Sequence, residues 1–182
     1  MHIRTHSRIR NMILCAMFSA LISIGAFLKI PVPIVPFTLQ FFFTTMAGLL
    51  LGAKLGFISV MIYVILGLAG VPVFASGGGI EYVLQPSFGY LIGFALGSFV
   101  TGKLSERHSL LLANFAGLFV VYLLGMIYYA LICNFYLNTP IGFVTLFVYC
   151  FVLAVPGDIA LCFAAASLGK ILLPLIQEGV KN

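Results

Sequence analysis

Long apolar runs, broken by short polar or glycine- and proline-bearing segments, make up almost all of this chain. Six of them read as membrane-crossing helices: residues 9–28, 38–51, 55–68, 87–101, 110–133 and 143–168. Several are shorter than the ~20 residues that a straight span needs, so their ends are set only to within a few residues. The breaks differ in kind. Pro31, Pro33 and Pro36 in IPVPIVPFT (30–38) cannot sit in one regular helix. This apolar segment is therefore expected to be extended or re-entrant, capping or lining something. Gly52-Ala53-Lys54 reads as a tight connection. GVPVFASGGGIEYVLQP (70–86) reads as a loop whose glycines 77–79 reach backbone conformations closed to other residues. TGKLSERH (101–108) is the most polar interior segment, and 134–142 is a turn containing Pro140.

Composition sharpens this into one membrane domain over residues 1–182. The chain is 63% hydrophobic and 7% charged, where a soluble domain carries roughly 25% charged residues. An all-α bundle of six transmembrane helices follows. Its charge pattern sets an orientation. With the N-terminus inside, the inner segments hold Arg4, Arg8, Arg10, Lys54, Lys103, Arg107, Lys170 and Lys181, and the outer ones hold only Lys29. That asymmetry fits the preference for basic residues on the cytoplasmic side, with both termini there. The formal charge of +5 is thus a topology signal and not a nucleic-acid surface. The basic start followed by an apolar run resembles a signal peptide. No small-x-small cleavage site with a polar mature domain follows, so the run is expected to be the first span.

Few residues carry chemistry. Asp158, just after Pro156-Gly157, is the one carboxylate placed well inside a span, where a charge faces a cavity, a partner or a ligand. It accepts hydrogen bonds from N–H donors; capping of the helix that restarts there and contact with a partner or ion are the other readings. Tyr90 can offer its ring or hydroxyl to a flat ligand or belong to an interfacial aromatic belt. The Gln40 amide is costly in lipid without a partner, whether ligand or neighbouring helix. Glu81 and Gln85 share a face if their loop is locally helical, and with Gly79 they complete the candidate binding set; a water-exposed position is the other reading for Glu81. Asn114 reads as a helix contact. Ala16 and Ala20, in AMFSA (16–20), form a small-residue strip where another helix can come close, as does the ladder Gly89, Gly93 and Gly97.

Several functions lack their machinery. The sequence has no Gly-x-x-x-x-Gly-Lys-Ser/Thr phosphate loop. His2, His6 and His108 lie outside the spans. Cys15, Cys133, Cys150 and Cys162 show no metal-site spacing and read as apolar filler. No enzyme, resident cofactor or metal centre is expected.

Four segments carry a resemblance to a known family. IPVPIVPFTLQ (30–40) followed by AGLLLGAKLG (47–56), LGLAGVPVFASGGG (66–79), QPSFGYLIGF (85–94) and VPGDIA (155–160) resemble, in order and spacing, segments of BioY. BioY is the biotin-binding S component of energy-coupling-factor (ECF) transporters. The resemblance implies a six-helix subunit of the bacterial cytoplasmic membrane that binds biotin from the outer side. The ureido ring would sit near Asp158, with Tyr90 and the two outer loops around it. It also implies a transmembrane coupling protein, met through Ala16 and Ala20, and two cytoplasmic ATPases; some members are thought to act without a dedicated complex. Leu161 stands where the family often has lysine, and Glu81-Tyr82 and Phe88 where it often has smaller residues. Two other functions stay open on the residues alone. One is an autonomous secondary transporter using Asp158 for ion coupling, although no duplicated half with paired broken helices is evident. The other is a non-transporting assembly protein.

Overall fold

The computed structural model describes residues 2–30, 37–139, 141–152 and 154–178. Pro31, Pro33, Pro36, Pro140 and Lys181 lie outside them. Helix α1 (His2–Phe27) leads into a short antiparallel pair, β1 (Lys29–Ile30) and β2 (Phe37–Thr38), in which Lys29 faces Thr38. The long helical element α2 (Gln40–Leu68) follows. A 3-10 turn at Ile80–Leu84 precedes α3 (Phe88–Ser105) and α4 (Leu110–Leu131). The Ser109 hydroxyl caps α4 by accepting from the Leu112 N–H at 3.3 Å. The last third holds π-helical turns at Ile132–Tyr136 and Val148–Val152, the short α5 (Phe143–Phe147), and α6 (Val155–Glu178).

The α2 range is not one straight helix. Gly52 has φ 81° and ψ 173°, outside helical geometry and in a region where a Cβ is strained. A Cβ on Gly56 would lie 2.8 Å from the Gly48 Cα. Eight residues along a straight helix would separate these positions by about 12 Å. The backbone therefore reverses at Gly52, and the arms 40–51 and 53–68 lie against each other.

Small residues set the distances between helices. The Gly89–Gly93–Gly97 ladder of α3 faces α4. Added side chains there would strike Tyr128, the Val121 backbone at 2.9 Å and the Gly117 carbonyl at 3.0 Å. In lipid, where hydrophobicity does not drive helices together, such close backbone approach supplies the packing. Asn114 on α4 is fully buried and donates to the Cys162 carbonyl of α6 at 2.9 Å, joining two helices. The four cysteines are free and buried. On α1, Cys15, Phe18, Ser19, Ile22 and Ala26 face the bundle. Ala16 and Ala20 lie on the exposed face with Met12, Ile13 and Ile24.

Helix α1 starts earlier than expected, at His2, α3 runs on to Ser105, and the last two spans depart further. The run 143–168 is not one helix: its regular part begins at Val155 and continues to Glu178. Pro156 has no N–H to give to the carbonyl four residues back, so the π turn ends at Val152 and a new helix starts. Helix α4 passes into π geometry at Ile132. There the Asn134 side chain donates to the Ala130 carbonyl at 2.8 Å, and the Leu137 N–H bonds five residues back, to the Ile132 carbonyl, at 2.9 Å. A side chain competing for a backbone acceptor locally favours the wider turn.

Candidate functional site

A cavity opens where the starts of α2, α3 and α6 meet the middle of α4. Its wall includes Thr38, Gln40, Tyr82, Tyr90, Tyr122 and Asp158, with Phe37, Phe41, Leu91, Phe94 and Val121 as apolar surface. Its empty space, counted out through the open mouth, is roughly 670 Å³. Aromatic rings with a few convergent polar groups are the ordinary make-up of small-molecule sites.

Local sequence explains how the polar groups arrive. The Pro156-Gly157 step begins α6 and puts Asp158 in its first turn. A Cβ on Gly157 would lie 2.6 Å from the Phe37 ring, so glycine lets β2 lie against the start of α6. Asp158 is 8% exposed, and its Oδ2 accepts from the Tyr122 hydroxyl at 2.5 Å. Among the described residues this is the one hydrogen bond to a carboxylate that can accept about four. A carboxylate this deep in an apolar span leaves acceptor capacity aimed at a cavity, which is expensive without a ligand or partner. The Tyr122 ring is met edge-on by Tyr90, with centroids 6.0 Å apart. Gly125 on α4 makes room for the Tyr90 ring, whose hydroxyl donates to the Cys150 carbonyl at 3.4 Å. Gln40 begins α2, accepts from the Thr38 hydroxyl at 3.1 Å and donates to the Tyr63 hydroxyl at 2.5 Å.

Asp158, Tyr90 and Gln40 thus share one cavity wall. Glu81, Gln85 and Gly79 do not reach it. The 3-10 turn repeats every three residues, so Glu81 does not share a face with Gln85. The turn ends at Leu84, with Gln85 extended and both polar residues exposed. Tyr82 points inward in their place, buried against Phe74. Gly79 has a backbone part: with φ 111°, its N–H donates to the Gly67 carbonyl at 2.7 Å and holds the loop to α2. Tyr122 is a wall residue that the sequence reading did not single out. Tyr122 differs from its neighbours Tyr128 and Tyr129 only in the face it takes on α4, one visible once Asn114, Leu118, Val121 and Gly125 are known to be buried.

The Tyr122→Phe change is expected to lower stability by about 1–3 kcal/mol, because it strips a buried carboxylate oxygen of its partner. Thermal unfolding in detergent reads this. The exposed Tyr136→Phe should stay within about 0.5 kcal/mol of the parent.

Helices this apolar, at least four of them long enough to cross a bilayer, define a multi-spanning, all-α membrane protein, and this one has an internal cavity. Its fold is that of ECF S components. A crystal structure of the S-component for biotin from an ECF-type ABC transporter matches it with a TM-score of 0.71 and 30% identity, over 92% of each chain. The chain belongs to the BioY family, whose pattern matches residues 1–178. It is 44% identical over 174 residues to a BioY protein of Lysinibacillus sphaericus, covering 92% of this chain and 89% of the relative. The biotin transporter BioY of Thermotoga maritima is 42% identical over 134 residues, covering 71% and 77% of the two chains. The biotin transporter BioY of Rhizobium etli is 35% identical over 181 residues, covering 88% and 91%. This is a family of transporters rather than of enzymes.

Proposed function

We propose that this chain takes up biotin as the substrate-binding subunit of an ECF-type ABC transporter in the cytoplasmic membrane. The observation that carries this reading beyond family membership is Asp158, buried in an aromatic cavity with acceptor capacity to spare. The ureido group of biotin offers two N–H donors, the chemistry that a carboxylate with one oxygen already held by Tyr122 can take. The fused rings lie against Tyr90, Phe94 and Tyr122, and burial of their apolar surface adds affinity. Gln40 has a second amide N–H beyond the one given to Tyr63 and serves the ureido carbonyl. The segment bearing Gly79, Glu81 and Gln85 covers the mouth instead of touching the rings.

In this reading the chain crosses the membrane six times with both termini inside, the reversal at Gly52 separating the second and third crossings. A transmembrane coupling protein docks on the exposed face of α1 at Ala16 and Ala20, and two cytoplasmic ATPases supply the energy. A biotin-requiring bacterium expressing this chain with an ECF module should take up labelled biotin. Uptake should stop when the ATPases lose their catalytic glutamates. Uptake that persists there and stops when the ion gradient is collapsed would replace this reading with a secondary transporter.

A further inference from the structure

The cavity wall contains one carboxylate and, among the described residues, no lysine, arginine or histidine. A ligand with an N–H-rich end and an acidic end enters such a site in one orientation. Asp158 attracts the donors and repels the acid, which is left toward the mouth. A cation there would pair with it.

The structure places one. At the mouth, Lys29 is paired in register with Thr38, a wall residue. Its Nζ donates to the carbonyl of Ala75, another wall residue, at 2.8 Å. The ammonium has three donors, and among the described residues this is the one hydrogen bond it makes. It is not in the ion pair formed by Lys103 and Glu106, and Glu81 does not engage it. Among the described residues, Lys54, Lys103, Lys170 and Arg10 belong to the opposite end of the bundle. Lys54 adjoins the Gly52 reversal, and Gly102, next to Lys103, packs on Gly52 and Ala53. Gly169, next to Lys170, lies 3.3 Å from Leu49 on the same measure of an added Cβ. Arg10 lies nineteen residues up α1 from Lys29, about 29 Å along a helix axis.

We propose that Lys29 recognises the acidic end of the ligand, the carboxylate of biotin, next to the Ala75–Ser76 stretch of the wall. This rests on the biotin reading above. Lys29 keeps its flexible stem at the solvent edge, so the ammonium exchanges the Ala75 carbonyl for the incoming carboxylate without entering the apolar interior. The gain is modest because water and salt screen the pair.

The test is equilibrium binding of biotin and of its neutral methyl ester to the detergent-purified chain, for the parent, Lys29→Met and Lys29→Arg. Lys29→Met should weaken biotin binding by about threefold to fivefold and leave the ester within about twofold. Lys29→Arg should recover most of the loss, and rising salt should narrow the acid–ester difference in the parent and in Lys29→Arg but not in Lys29→Met. Equal losses for acid and ester would overturn the proposal and leave Lys29 as a structural tie between the outer segments. Unchanged biotin binding in Lys29→Met would overturn it as well. A folded parent that binds neither compound would overturn the biotin reading itself, and this inference with it.

Discussion

Replacing Asp158 with alanine should lower biotin affinity at least about 100-fold while the chain stays folded. Two hydrogen bonds from ligand N–H groups to a charged acceptor contribute about 1.5–3 kcal/mol each, and each 1.4 kcal/mol is about tenfold in affinity. Removing the acceptor also leaves the ligand donors dry and unpaired, which adds to the loss. The fold should survive, since within the described residues the carboxylate supports one partner, the Tyr122 hydroxyl. Asp158→Asn should fall between the two. Its amide can turn the nitrogen toward Tyr122, whose hydroxyl then accepts, and keep an oxygen toward the ligand. Ligand binding and thermal unfolding measured on the same samples separate affinity from stability. Parent-like affinity in Asp158→Ala would remove this residue from the site.

The largest effect on stability is expected away from the cavity. A Cβ on Gly48 would strike the Ser98 carbonyl oxygen and come within 3.2 Å of the Gly102 nitrogen, and both are backbone. Neither can turn aside as a long side chain does, so the first arm of α2 must move away from α3. Overpacking of this kind costs about 1–3 kcal/mol or more, because dense interiors transmit such strain rather than absorb it. Gly48→Ala should therefore lower the unfolding temperature by on the order of 5 °C. Gly142→Ala is the matched control. Nothing lies within 4 Å of its added Cβ, its φ of −67° suits any residue, and it should unfold with the parent.

These two positions show what a sequence can and cannot disclose. Asp158 stands out because an acid inside an apolar run is costly wherever it ends up. The turn at Gly52 has a local mark, a glycine and a lysine interrupting apolar residues. Gly48 has none: it is one small residue among many in a membrane helix, and its contact with Ser98 comes from another element. Tyr122 was hidden for the same reason. Nothing in its neighbourhood says that its hydroxyl meets a carboxylate 36 residues away. The 80–84 turn misleads in a different way. A helical spacing of four pairs Glu81 with Gln85, but the segment winds with a period near three and turns Tyr82 inward. Break positions follow local chemistry as well, through Pro156 at the head of α6 and Asn134 in the π turn after α4. The exact geometry does not, because it depends on which carbonyl each side chain captures.

The central claim is that this chain by itself captures biotin. Labelled biotin titrated onto the detergent-purified protein, with no ATP and no partner subunit, tests it directly. Saturable binding near one biotin per chain, displaced by unlabelled biotin, is the predicted result. A monodisperse protein that unfolds cooperatively on heating yet shows no saturable biotin binding would contradict it.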